Sequence, residues 1–160
     1  MIERIFTMGV YGRTEDQFFG KLVETGIDTF CDIRQRRGVR GSQYAFVNSK
    51  RLQTALKTRG IAYLHLPELA PTKEIRSAQY ALDNELGVGK RTREELGEEF
   101  KQRYLKEILS PVDSKQLRQK IGTEAKCVVF FCVEAVAAAC HRSLVVERLK
   151  GDWNVEVEHL

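Results

Sequence analysis

The sequence predicts an α/β domain, a mostly parallel sheet of about five strands with helices on both faces. Two observations carry this. Short runs of β-branched and aromatic residues alternate with segments whose apolar residues recur at helical spacing, and βα alternation implies right-handed crossovers that lay helices on a parallel sheet. The strongest run, Cys127-Val128-Val129-Phe130-Phe131-Cys132-Val133, is apolar throughout, as a strand buried on both faces must be. The 160 residues, 42% hydrophobic, suit one domain over 1–160 with a real core, because no linker of Pro, Gly or Ser and no repeat divides them.

The elements follow in order. Ile5 to Met8 reads as a first strand. Thr14 to Thr25 reads as a helix, with Thr14 as its cap, Phe18, Leu22 and Val23 on the buried stripe, and Gly26 as its stop. Thr29 to Ile33 is a second strand, Ser49 to Thr58 a helix burying Leu52, Ala55 and Leu56 before Gly60, and Ile61 to Leu66 a third strand. Thr72 to Ser110 reads as two helices broken around Gly87-Val88-Gly89. A helix over Val112 to Gly122 precedes the Cys127 strand. After Cys140 the apolar residues Leu144, Val145 and Leu149 return at helical intervals, and Val155 to His159 closes the sheet.

Composition excludes several classes. No apolar run approaches the roughly 18 residues needed to span a bilayer, and Glu3, Arg4 and Arg13 do not suit a secretory signal, so a soluble cytoplasmic protein is expected. Four cysteines, with no Cys-x-x-Cys pair, argue for reduced thiols rather than a disulfide framework. The net charge is only +4, but it is unevenly spread. Between Ile33 and Pro67 there is no acid, while Arg34, Arg36, Arg37, Arg40, Lys50, Arg51, Lys57 and Arg59 supply eight positive charges, which predicts a basic patch.

The chemistry concentrates between Cys132 and Ser143. Cys132-Val133-Glu134 and Cys140-His141-Arg142-Ser143 place thiols, an acid, an imidazole and a guanidinium at the carboxyl end of a strand and in the first turn of a helix, where free N–H groups favour negative charge. In a parallel sheet the other strand ends share that edge. Asp32 and Arg34 from the second strand and His65 from the third are therefore expected to converge on one crevice with Glu134.

These residues also carry a resemblance. Cys31-Asp32-Ile33-Arg34, Tyr63-Leu64-His65-Leu66-Pro67-Glu68-Leu69, Phe100-Lys101-Gln102-Arg103-Tyr104 and the Cys-x-Glu…Cys-His-Arg element of Cys132 to Arg142 resemble the domain-of-unknown-function 488 family over nearly the whole chain. The resemblance implies a small α/β fold and candidate site positions, and no reaction. The chain departs from the pattern at Ala135 to Ala139, where a proline is expected, and at Gly87 to Glu98, which matches nothing in it.

Within the crevice, Arg142 and Ser143 are expected to make an anion cradle faced by Arg34, because a guanidinium fork matches phosphate bidentately. The bland alternative is that Arg142 pairs internally and holds the loops. Asp32, His65, Glu134, Cys140 and His141 are the candidate acids, bases or nucleophile, since partial desolvation perturbs such groups and a helix amino terminus favours thiolate. Cys132, Cys140, His141 and His65 are chemically acceptable zinc ligands. No metal is nevertheless assigned, because the Cys-to-Cys interval is long and adjacent residues on a helix point apart. No cofactor is assigned.

Arg36, Arg37 and Arg40 lie in what reads as a long loop with Tyr44 and Phe46, a combination suited to a phosphodiester backbone and unpaired bases. Two classes of function follow: an enzyme acting on a phosphorylated small molecule, a nucleotide or nucleic acid, or a non-catalytic nucleic-acid-binding module that uses the basic loop Arg34 to Arg51.

Overall fold

A computed structural model describes residues 1–160. Five parallel strands form one sheet in the order β3-β2-β4-β1-β5: β1 Arg4–Met8, β2 Thr29–Asp32, β3 Ala62–His65, β4 Cys127–Phe131 and β5 Glu156–His159. Six α-helices connect and cover them: α1 Glu15–Glu24, α2 Ser49–Lys57, α3 Lys73–Leu86, α4 Glu98–Tyr104, α5 Ser114–Ile121 and α6 His141–Trp153. None is long and apolar enough to cross a membrane.

The expected fold class is the observed one. β4 lies at the centre, flanked by β2 and β1, and its residues Val128 to Phe131 are fully buried, which explains a run without polar alternation. On one face Phe18 of α1 packs edge-on against Phe131, 5.5 Å between ring centres, and also meets Phe30 and Phe46. α6 packs against β1, β4 and β5, and α4 and α5 pack against α6.

Several boundaries differ from expectation for physical reasons. β4 ends at Phe131, because Cys132 and Val133 leave the sheet to follow the chain beyond β1, where the Val10 and Tyr11 N–H groups both donate to Val133 O at 3.1 Å. On α1 the buried stripe is Phe18, Phe19 and Leu22; Val23 is 56% exposed, one residue step around the helix from the core. Thr14 caps α1 in a reciprocal capping box with Gln17. The break after α3 extends from Gly87, left-handed at φ 67°, to Gly97, and α4 runs on into a π-helical turn, Leu105–Leu109.

Candidate functional site

The crossovers that leave the adjacent strands β2 and β4 run in opposite directions: the chain goes from β2 outward to β3 but from β4 outward to β5. The loops after β2 and β4 therefore part, and a crevice opens between them at the carboxyl edge. A cleft of about 840 Å³ lies there. Its walls come from Tyr11 after β1, Arg34 to Arg36 and Gly38 to Arg40 after β2, the 132–141 connection after β4, one face of α3 and the segment between α3 and α4.

The cleft is strongly cationic. Arg36 and Arg40 line it from the β2 loop, Lys73 and Arg76 from the first turn of α3, and Lys90 and Arg91 from the segment after α3. None of these six forms an ion pair. Tyr11 and Tyr80 supply aromatic surface, and the Arg91 guanidinium lies 5.1 Å from the Tyr11 ring centre. Glu134 is the single acid in the lining.

The basic patch is thus assembled in space rather than along the acid-free run. Within that run Arg34 is neutralised by Asp32, Arg51 pairs with Glu15, Arg59 lies over the Phe19 ring, and Arg37 donates to the Tyr63 hydroxyl at 3.4 Å. Of the three expected nucleic-acid contacts, Arg36 and Arg40 line the cleft and Arg37 does not.

Asp32 and Arg34 form a buried unit at the end of β2. Arg34 Nε and Nη2 donate to the two Asp32 oxygens at 2.8 and 2.7 Å, Nη2 also reaches Val47 O at 2.9 Å, and the Tyr63 hydroxyl donates to Asp32 Oδ2 at 2.9 Å. Burial pushes the Tyr63 hydroxyl up to about 12, with the Asp32 charge acting in the same direction against Arg37. Asp32 is fully buried beneath the cleft surface. Arg34 reaches the lining, and its Nη1 is buried without a partner.

The cleft floor is built from Cys132, Glu134, Cys140 and His141. His141 Nε2 lies 3.2 Å from Ile33 O; a carbonyl only accepts, so Nε2 carries the hydrogen and the Nδ1 lone pair is left facing Cys140 Sγ at 3.7 Å. The side chains converge because Cys140 is not in the helix. It is the N-cap of α6, with extended backbone at φ −138° and ψ 145°, so the expectation that Cys140 and His141 diverge fails at this junction. A hydrogen bond with Cys140 and burial push the Cys132 thiol well up. Burial opposes ionisation of Glu134, but Lys90, His141 and the Cys140 thiol outweigh it and lower its pKa.

Arg142 and Ser143 lie outside the cleft lining that Arg34 reaches. Arg142 is almost wholly buried, donating to Glu134 O at 2.6 Å and Ala135 O at 3.1 Å, and Ser143 Oγ donates to Cys140 O at 2.8 Å. Both groups are spent on carbonyls of the connection that shapes the floor, so the expected cradle is replaced by a loop clamp. His65 likewise lies outside the lining, with Nε2 2.8 Å from Arg34 O, and Glu68 pairs with Lys120 on the surface.

The residue that sequence reasoning missed is Arg93. It is buried, with Nη1 2.6 Å from Asp83 Oδ2, Nη2 3.2 Å from Glu134 Oε1 and Nε 3.1 Å from Ala139 O. Gln79 extends the network, donating to Asp83 and accepting from Gly97 N. The signal that could have found it is the pair of polar residues Gln79 and Asp83 on the apolar face of α3, since buried polar groups require partners.

Comparison with curated proteins and with solved structures finds no match. The family model described as "Domain of unknown function DUF488" matches residues 14–149, a span that includes β2, the 132–141 connection and Arg93, and the chain belongs to the DUF488 family.

Proposed function

We propose that the cleft binds a phosphate-bearing ligand of nucleotide size and presents it to Glu134, Cys140 and His141. The observation that carries this is six cations without ion partners around one cavity whose single acid is already held by Arg93. Like charges concentrated in a low-dielectric crevice repel one another and destabilise the free protein, and an anion offsets that repulsion. The unpartnered, buried Arg34 Nη1 adds a donor at the same wall. Tyr11 and Tyr80 offer faces for a planar group, and a cavity near 840 Å³ falls in the range, roughly 300–1,000 Å³, of small-molecule sites.

In this reading Glu134 is the candidate base, because its depressed pKa keeps it a carboxylate, and Cys140 with the His141 lone pair is the candidate thiol–imidazole pair. Asp32 and His65 act indirectly, by fixing Arg34 and its carbonyl.

Calorimetric titration with nucleoside monophosphates, inorganic phosphate and a short single-stranded oligonucleotide tests the reading. Binding of a mononucleotide that weakens with salt and in Lys73→Ala and Arg76→Ala supports it. Tight binding of the oligonucleotide alone would replace it with the nucleic-acid-binding module, and absence of binding by all three at low salt would end both.

A further inference from the structure

We infer that Cys132, Cys140 and His141 form a binding site for a borderline-soft divalent cation, of which Zn²⁺ is the type. Their ligand atoms all lie within 4.8 Å of one another and the three residues are buried at the cleft floor. Two thiols and an imidazole are a zinc donor set, and three protein ligands with a fourth position open to a cavity is the arrangement of catalytic rather than structural zinc sites. The inference concerns the floor alone and does not depend on what the cationic walls bind; with an ion bound, Cys140 and His141 serve as ligands in place of the thiol–imidazole pair, and Glu134 remains the base.

Three further features are those a metal site needs. The His141 Nε2–H bond to Ile33 O fixes the tautomer that turns the Nδ1 lone pair toward the sulfurs, the usual outer hydrogen bond of a metal-bound histidine. Cys140 precedes α6 in extended conformation, so one element boundary supplies two ligands while Cys132 comes from the strand end across the connection. Glu134 Oε2 is buried beside them without any hydrogen-bond partner, although Oε1 is held by Arg93. With an ion bound at the three ligands, this unpartnered carboxylate oxygen would be the acceptor available in the floor for a proton.

Charge balances on binding. Cys132 and Cys140 each release a proton, the two thiolates neutralise the dication, and neutral His141 adds a lone pair, so uptake yields two protons per ion and weakens in acid.

The test uses the full chain, reduced and stripped with chelator, titrated anaerobically first with Co²⁺ and then with Zn²⁺. One equivalent of Co²⁺ with thiolate-to-metal charge-transfer bands and tetrahedral d–d bands, displaced by Zn²⁺, is the expected result. Cys132→Ser, Cys140→Ser and His141→Gln should each weaken uptake at least about tenfold. Cys127→Ser, at the opposite end of β4, should leave it unchanged. Zn²⁺ should also shield Cys132 and Cys140, but not Cys127, from alkylation read by mass spectrometry. Absence of cobalt–thiolate bands in the unsubstituted protein overturns the inference whether or not the variants fold. Retention of those bands in well-folded Cys132→Ser and Cys140→Ser proteins overturns it equally.

Discussion

Arg93 and Glu134 meet at 3.2 Å beneath the cleft, joining a segment between two helices to the connection after the central strand. The same guanidinium takes Asp83 at 2.6 Å, so one cation serves two buried carboxylates from separate elements. The floor therefore holds its shape through charge pairing where the chain has no regular structure, and the helix–helix segment becomes part of the site.

Arg93→Met should destabilise the protein by about 3–5 kcal/mol, because removing one partner leaves Asp83 and Glu134 buried without compensation. Urea denaturation of both proteins measures it. A loss below about 1 kcal/mol, the range of an exposed pair, would show that the network does not hold the segment.

Glu134 gives this network a pH dependence. Its folded pKa lies below the ordinary 4.5, so the folded state binds fewer protons than the unfolded chain in acid. Its contribution is complete above that value and is lost as pH falls through the lower folded pKa. Stability followed by chemical denaturation from pH 6 downward should drop less steeply in Glu134→Gln than in the parent; parallel curves would mean that Glu134 is not held ionised by its surroundings.

The architecture was legible because it depends on pattern: β4 declared itself by seven apolar residues, and α1 by its Thr14 cap and stripe. The site was legible only in part. Strand-end position identified Arg34, Glu134, Cys140 and His141, which do line the cleft. It could not reveal that Arg142 turns back to the carbonyls of residues 134 and 135, since that depends on how the loop folds over it. Arg93 escaped because nothing local marks an arginine that pairs with residues 10 and 41 positions away. The clean acid-free run misled for a similar reason, as its charges are answered by Asp32 and Glu15 from outside or at its border.

Gly9 should tolerate no side chain. A Cβ there would stand 1.9 Å from Glu134 O and 2.8 Å from its carbonyl carbon, both backbone atoms that cannot rotate away. Gly9→Ala should therefore cost at least the 1–3 kcal/mol typical of overpacking, about the same loss at every pH. Thermal unfolding of the variant within a degree of the parent would show that the β1 exit and the 134–135 connection are not in contact.

His159 should titrate below the ordinary 6.5. Its partial burial and the Arg142 guanidinium both disfavour the imidazolium, while Glu147 opposes them weakly, and Thr7 Oγ1 lies 2.7 Å from Nδ1. A depressed folded pKa contributes stability above the unfolded value that fades as pH falls through the folded one. NMR titration of the His159 ring checks this, with His159→Gln assigning the resonance. A His159 midpoint at or above 6.5 would mean that burial and the Arg142 charge do not act on the ring as the structure describes.

Neighbouring arginines in the β2 loop should behave differently. Arg36 and Arg40 line the cleft, whereas Arg37 is directed to Tyr63 and lies outside the lining. For any polyanion held in the cleft, Arg36→Ala and Arg40→Ala should each reduce the slope of log affinity against log salt by about 0.7 for a single strand. Arg37→Ala should leave that slope unchanged. Binding isotherms of a labelled oligonucleotide at several salt concentrations give the three slopes directly. Equal effects from all three substitutions would mean that the anion follows the whole loop over the surface, and that the cavity is not where it is held.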